Sequence, residues 1–335
     1  MNAHDKQYKA LTLRLGFAVL LLFVLLQGLM TALGLAQLVM VTTMTEKAAN
    51  VLYWGLYNVF YLVSFMLPVP FFMLIRGKTK TEKMFFGVRF PKRFALLALS
   101  CVGLITAVGQ INSLLLAPFS GDGSASTDIM MDLMGSDKSY MVVLIFVMLV
   151  IVPPFCEEFL FRGLILGNLL PYGKGVAIVG SALLFGAMHQ SFSQFLYTVA
   201  AGVLLGMLYA ESRSIWPSTL VHMLNNMLSF IQLVIMSRVE DEMLASRIVI
   251  CMNLAVIGLG LICTVILLIG AKNQKKTPDL SHGAFDTTPD SSYFASPVAL
   301  SPGMAVRGFF SPSVAVFIVI SFVMAFFNLL AEALV

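Results

Sequence analysis

Charge is what this chain has least of. Asp, Glu, Lys and Arg make up 11% of its 335 residues, against 59% apolar, and mean hydropathy is +0.91. A soluble domain carries about 25% charged residues, so a water-exposed surface over most of the chain is excluded. Cysteine (4) and histidine (4) are scarce as well. Cys101, Cys156, Cys251 and Cys263 all lie in apolar stretches without CxxC spacing, which reads as buried reduced thiols and excludes a disulfide framework. There is no HExxH, P-loop, zinc-finger or dinucleotide fingerprint, and nothing suggests nucleic acid as a partner. The apolar runs do not alternate with polar residues, which excludes a membrane β-barrel. No internal repeat is visible, which weighs against an inverted-repeat transporter.

What is present is a series of runs long enough to cross a bilayer, about 20 residues each. They fall at roughly 11–41, 50–75, 94–119, 139–170, 174–190, 192–211, 214–237, 244–270 and 312–335. The first is too long for a signal-peptide core and has no cleavage pattern after it, so it reads as a retained helix. The fold expected is all-α: a polytopic membrane helical bundle of about eight core transmembrane helices plus one C-terminal segment. Residues 1–138 form its N-terminal helices with a basic loop, 139–237 the chemically interesting core, and 238–270 a closing helix. Residues 271–312, rich in Pro, Ser and Asp, read as a flexible cytoplasmic linker, and 313–335 as a C-terminal hydrophobic segment with an anchoring role. The short connections at 171–173 and 190–193 are read either as ordinary loops or as re-entrant turns.

Alternating the segments with a cytoplasmic N-terminus leaves Lys47, Lys138, Arg238 and Arg247 outside and every other Lys and Arg of the 21 inside. The positive-inside rule therefore favours a multi-pass protein with its N-terminus in the cytoplasm.

Against this background Glu157, Glu158 and Arg162 stand out, since ionisable groups at membrane depth cost about 2.5–3.5 kcal/mol each on insertion scales and face an interior or a watery cavity. Glu158 and Arg162, four apart on a helix, are expected to pair. Glu157, turned about 100° away, is left without a local partner and is a candidate general base. Two of the four histidines, His4 and His282, read as solvated. The other two, His189 and His222, lie in apolar helices, and Asn226 shares a face with His222. At about 1.5 Å per residue from the basic ends of their helices, Glu157, His189, His222 and Asn226 lie about 18, 20, 12 and 18 Å in. Within a core about 30 Å thick they meet near the middle.

Glu157-Glu158-x-x-x-Arg162, Phe185-x-x-x-His189 and His222-x-x-x-Asn226, in this order and inside helices, resemble the three signatures of the CPBP family: the CaaX prenyl endopeptidases of type II (Rce1-type) and bacteriocin-processing or self-immunity proteins, often labelled intramembrane metalloproteases. The resemblance covers roughly 139–237, including Leu205 to Ser218; nothing from about 271 onward matches it. It implies an intramembrane endopeptidase acting on a lipidated (CaaX-type) or hydrophobic peptide within the lipid bilayer. Glu157 and His189 would activate a water, His222 and Asn226 would stabilise the oxyanion, and Glu158 and Arg162 would hold the frame. A cysteine nucleophile is disfavoured, because Cys156 adjoins two carboxylates. No metal is favoured, since HExxH is absent; the alternative is a zinc on His189, His222 and Glu157 with an open position. A proton-coupled transporter and a non-catalytic immunity protein are the competing classes, separated from a protease by what Glu157→Ala abolishes.

Overall fold

A computed structural model describes residues 2–77, 87–116, 134, 139–274 and 298–333. The centre of the basic loop (78–86), the acidic loop (117–133 and 135–138) and most of the proposed linker (275–297) lie outside the described residues. Among the described residues the chain is a helical bundle without strands. Its helices are α1 (Ala3–Thr43), α2 (Glu46–Met66) running on into α3 (Pro68–Ile75), α4 (Phe94–Leu116), α5 (Tyr140–Tyr172), α6 (Lys174–Met188), α7 (Phe192–Ser212), α8 (Ile215–Arg238), α9 (Glu242–Gln274), α10 (Met304–Phe309) and α11 (Pro312–Ala333). Eight helical stretches are long and apolar enough to cross a membrane, and α6 is the short apolar one. This is the polytopic bundle that the hydropathy pattern predicts. The large apolar residues left exposed, such as Leu38, Leu114 and Leu254, face outward where lipid replaces water.

Close packing in such a bundle needs small residues, because the apolar effect does not distinguish lipid from protein. Where α4 crosses α9, a Cβ added to Gly103 would lie 2.6 Å from the Gly260 Cα, and the Ser100 and Thr264 hydroxyls share a 2.6 Å hydrogen bond. Between α6 and α7 a Cβ at Gly202 would lie 2.9 Å from the Ala182 Cα. Any side chain larger than hydrogen at either crossing drives the helices apart.

α5 is not a uniform α-helix. It is wound as π-helix over Val147–Ile151 and again over Phe159–Leu166, on either side of Pro153-Pro154 and the two glutamates. The prolines do not break it. Pro153 has no N–H, so the Leu149 carbonyl four residues earlier loses its helical donor, and the Asn226 side chain of α8 supplies one at 2.9 Å. In the second wide segment the Ser181 hydroxyl of α6 donates to the Phe161 carbonyl at 2.8 Å. Wide turns of this kind concentrate at functional sites.

The expected linker is shorter than its composition suggests. α9 continues to Gln274, and residues 298–311 are packed against the start of α1 rather than free. Asn2 and Asp5 form a reciprocal cap on α1, and the Asp5 carboxylate also accepts from the backbone N–H (3.0 Å) and hydroxyl (2.6 Å) of Ser301. Tyr8 donates to the Ala305 carbonyl at 2.9 Å, Thr12 to Gly308 at 2.7 Å, and Ser313 to Leu13 at 2.6 Å. The Val298 N–H reaches the Pro171 carbonyl at the end of α5. Composition misreads this stretch because its partners are α1 side chains, Asp5, Tyr8 and Thr12, almost 300 residues away in sequence. Asp5→Ala is expected to release it, so that limited proteolysis between 298 and 311 runs about tenfold faster than in the wild type.

Candidate active site

The ionisable residues of α5 meet α6, α7 and α8 at one buried point. Arg162, fully buried, lies with Nη1 3.0 Å from the Glu158 Oε1. Its Nη2 donates to the Gly202 carbonyl of α7 at 3.3 Å, and the guanidinium sits 4.6 Å from the centre of the Phe185 ring of α6. One side chain thus ties three helices together and compensates the charge of Glu158.

His222 stands between the two glutamates. Its Nδ1 is 3.1 Å from the Glu158 Oε1, and its Nε2 is 3.7 Å from the Glu157 Oε2. Glu157 is held from a third direction by Tyr61 of α2, whose hydroxyl donates to Oε1. Its other oxygen, Oε2, is buried and, like the Glu158 Oε2, has no hydrogen-bond partner among the described residues. Each glutamate thus keeps one buried Oε2 unpartnered, and what differs is charge: Glu158 is compensated by Arg162 at 3.0 Å, whereas Glu157 is aimed by a phenol.

His189 caps the C-terminus of α6, its Nδ1 2.8 Å from the Phe185 carbonyl, which leaves Nε2 as its outward nitrogen. It lies within electrostatic reach of Glu157, His222 and Arg162. Phe185 is the common spacer: its ring packs edge-on against both His189 (5.0 Å) and His222 (5.8 Å). α6 has 15 residues, about 22 Å of helix. It is thus shorter than a hydrocarbon core of about 30 Å. An apolar helix of that length entering at Lys174 ends with His189 inside the membrane.

The turn after His189 is gripped from both ends of the chain. Gln190 adopts φ +50, a left-handed conformation uncommon for a residue with a side chain. The Gln27 amide of α1 donates to its Oε1 at 2.7 Å, and the Asn328 amide of α11 donates to its carbonyl at 3.0 Å.

The residues singled out from sequence are therefore not equally placed. Glu157, Glu158, Arg162 and His222 are in direct contact, and His189 adjoins them. Asn226 has one amide N–H on the Leu149 carbonyl, while its Oδ1 accepts from Asn225 at 3.4 Å, which leaves its second N–H free of that bond. Sequence reasoning misses Tyr61, Tyr197 and Asn225; the Asn225 amide donates to the Tyr197 hydroxyl at 2.7 Å. A signal for Tyr61 does exist: Tyr53, Tyr57, Tyr61 and Phe65 recur every four residues along one face of α2, with Tyr61 and Phe65 stacked at 4.6 Å. A tyrosine ladder in a membrane helix brings hydroxyls to a place where each needs a partner.

The residues present do not fit the zinc alternative well. Among the described residues no three His, Cys, Asp or Glu side chains converge to hold a metal ion. Both ring nitrogens of His222 face carboxylates.

No curated protein and no solved structure matches the chain. A family model does, over the stretch that contains every residue just described except those of α2 (Tyr53, Tyr57, Tyr61 and Phe65), Gln27 and Asn328. Residues 139–228 match a family model described as type II CAAX prenyl endopeptidase, Rce1-like.

Proposed function

We propose that the protein is an intramembrane endopeptidase that hydrolyses a peptide bond of a lipidated (CaaX-type) or hydrophobic peptide with a water activated by Glu157. The observation that carries this reading is the asymmetry of the glutamate pair: Glu158 is paired with Arg162 at 3.0 Å and His222 at 3.1 Å, while Glu157 is held by the Tyr61 hydroxyl, has His222 only at 3.7 Å, and directs an unpartnered Oε2 into the site. A carboxylate so placed is suited to accept a proton from water.

In this reading the water lies between the Glu157 Oε2 and the His189 Nε2. Glu157 takes its proton as the oxygen attacks the scissile carbonyl carbon. The carbonyl π-electrons move onto oxygen, and that oxyanion accepts hydrogen bonds from the His222 Nε2–H and the second N–H of Asn226. Collapse expels the amine, which receives the proton held by Glu157, so the products are a carboxylic acid and an amine, which exchange a proton to become carboxylate and ammonium, with the base restored. Tyr61 keeps Glu157 in one rotamer throughout, and Arg162 prevents Glu158 from competing for the proton. Every part of this scheme is supplied by the chain's own residues, without a metal.

We also infer that the N-terminus is cytoplasmic. The start of α1 meets Ser301, Val298 meets the end of α5, Lys174 pairs with Glu211 at 3.5 Å, and Arg93 approaches Gly270, so the basic ends gather on one side of the bundle.

The test is release of the last three residues from a farnesylated CaaX peptide by the full chain in liposomes. Cleavage that persists at full rate in a chelator, and falls on the same peptide without its lipid, is the expected result. Loss of activity in the chelator with recovery on added zinc would overturn the metal-free scheme.

A further inference from the structure

Beyond the glutamates, the bundle contains a second polar feature that the mechanism does not use. A cavity of about 270 Å³ lies between α4, α7, α8 and α9, lined by Thr106, Asn112, Tyr197, Asn225, Gln232 and Asn253 among others. None of its lining residues is charged, and Leu228 is the one large apolar side chain among them. Asn112, Asn225 and Asn253 are each more than nine-tenths buried. Each is held by its own partner: Asn112 donates to the Ser193 carbonyl, Gln232 to Asn253 at 2.9 Å, and Asn225 to the Tyr197 hydroxyl.

Its position is informative. Thr106 and Asn112 lie 12 and 18 residues beyond the start of α4 at Phe94, which carries them about 18–27 Å from the basic end of the bundle. Asn253 is 19 residues from Lys272, about 28 Å from the same end. The cavity therefore begins at the depth of the glutamates and extends away from the basic side. Its inner wall is the Tyr197–Asn225 pair, which leads through Asn226 to the wide turn of α5 and lies within electrostatic reach of Glu157.

Polar groups at membrane depth are found lining watery cavities or buried in protein. A prenyl chain or apolar side chain would find no apolar wall here, and a terminal carboxylate no cation. Amides and hydroxyls in a space of about 270 Å³ suit water, of which it has room for about nine molecules at roughly 30 Å³ each. We propose that this cavity is a water chamber that feeds the hydrolytic water to Glu157 from the side opposite the basic face, past Tyr197 and Asn225, separate from the path by which the peptide enters. Hydrolysis consumes one water per bond in a site closed to bulk solvent by a lipidated substrate, and a second route resupplies it.

The inference rests on the endopeptidase reading for the destination of the water, and its test separates the two. In a Cys251→Ser background, which removes the exposed native thiol, Ser229→Cys places a thiol in the chamber. Ile231→Cys, two residues away and 40% exposed on the lipid side, is the control. In nanodiscs a membrane-impermeant maleimide is expected to label Ser229→Cys at least about tenfold faster than Ile231→Cys, since thiolate forms only in contact with water. The labelled Ser229→Cys enzyme should then lose about tenfold or more in kcat on the farnesylated peptide with KM unchanged. Equal labelling rates would overturn the chamber, and an unchanged kcat after complete labelling would overturn its role as water supply. A chamber that labels rapidly in an unmodified Ser229→Cys protein that cleaves no peptide would instead fail the endopeptidase reading, and with it the destination of the water.

Discussion

Glu157→Gln is expected to remove peptide hydrolysis by about 10²–10⁴-fold while leaving the thermal unfolding midpoint unchanged. Glutamine keeps the shape and can still accept from Tyr61 through its amide oxygen, so the bundle loses a base without losing a contact. Glu158→Gln should behave in the opposite manner. It leaves the fully buried Arg162 without its carboxylate, a loss worth about 3–5 kcal/mol, and a large fall in the midpoint precedes any catalytic effect. Measured side by side, peptide release and thermal unfolding in detergent assign the two neighbours to different work. Full turnover in Glu157→Gln would end the general-base reading. A stable, inactive Glu158→Gln protein would exchange the two roles.

The second large effect concerns Asn226, for which geometry offers two jobs. Its amide supplies the hydrogen bond that Pro153 denies to the Leu149 carbonyl, and its second N–H is the proposed oxyanion donor. Asn226→Ala should lower kcat by about 10²–10³-fold, the usual cost of one such donor. Pro153→Ala returns a backbone N–H to α5 and so repairs the structural half of the loss. If Asn226 stabilises the oxyanion, Pro153→Ala/Asn226→Ala remains as slow as Asn226→Ala alone, although it melts at a higher temperature. Recovery of turnover in the double variant would reduce Asn226 to a helix-satisfying residue. The cycle is informative because the two residues share one carbonyl and must couple.

Most residues in these two experiments are conspicuous in the linear chain. With 11% charged residues, an apolar chain has few places to put an ionisable group, so Glu157, Glu158, Arg162, His189 and His222 stand out by their surroundings. Their common depth follows from helix rise alone. The pairing of Glu158 with Arg162 is local and is readable from a spacing of four. Tyr61 is not conspicuous in this way, because an aromatic at helical spacing is ordinarily core. Its hydroxyl acquires meaning only from a carboxylate 96 residues further on.

The same division runs through the rest of the molecule. Residues 298–311 have the composition of a linker, and only Asp5 and the hydroxyls of Tyr8 and Thr12 at the start of the chain turn them into a docked strap. Pro153-Pro154 reads as a break, yet α5 continues, because Asn226 on a neighbouring helix replaces the missing donor.

By itself the sequence determined the class of protein, a helical membrane bundle, and the identity of its intramembrane ionisable residues. Both follow from local quantities: hydropathy over about 20 residues and the spacing of side chains along a helix. Tertiary structure decided the rest: which glutamate Arg162 compensates, which one a tyrosine aims, and where a polar cavity opens between four helices. These depend on how helices far apart in the chain rotate against one another. That rotation is set by close approaches such as Gly103 on Gly260 and Gly202 on Ala182, which no local pattern encodes.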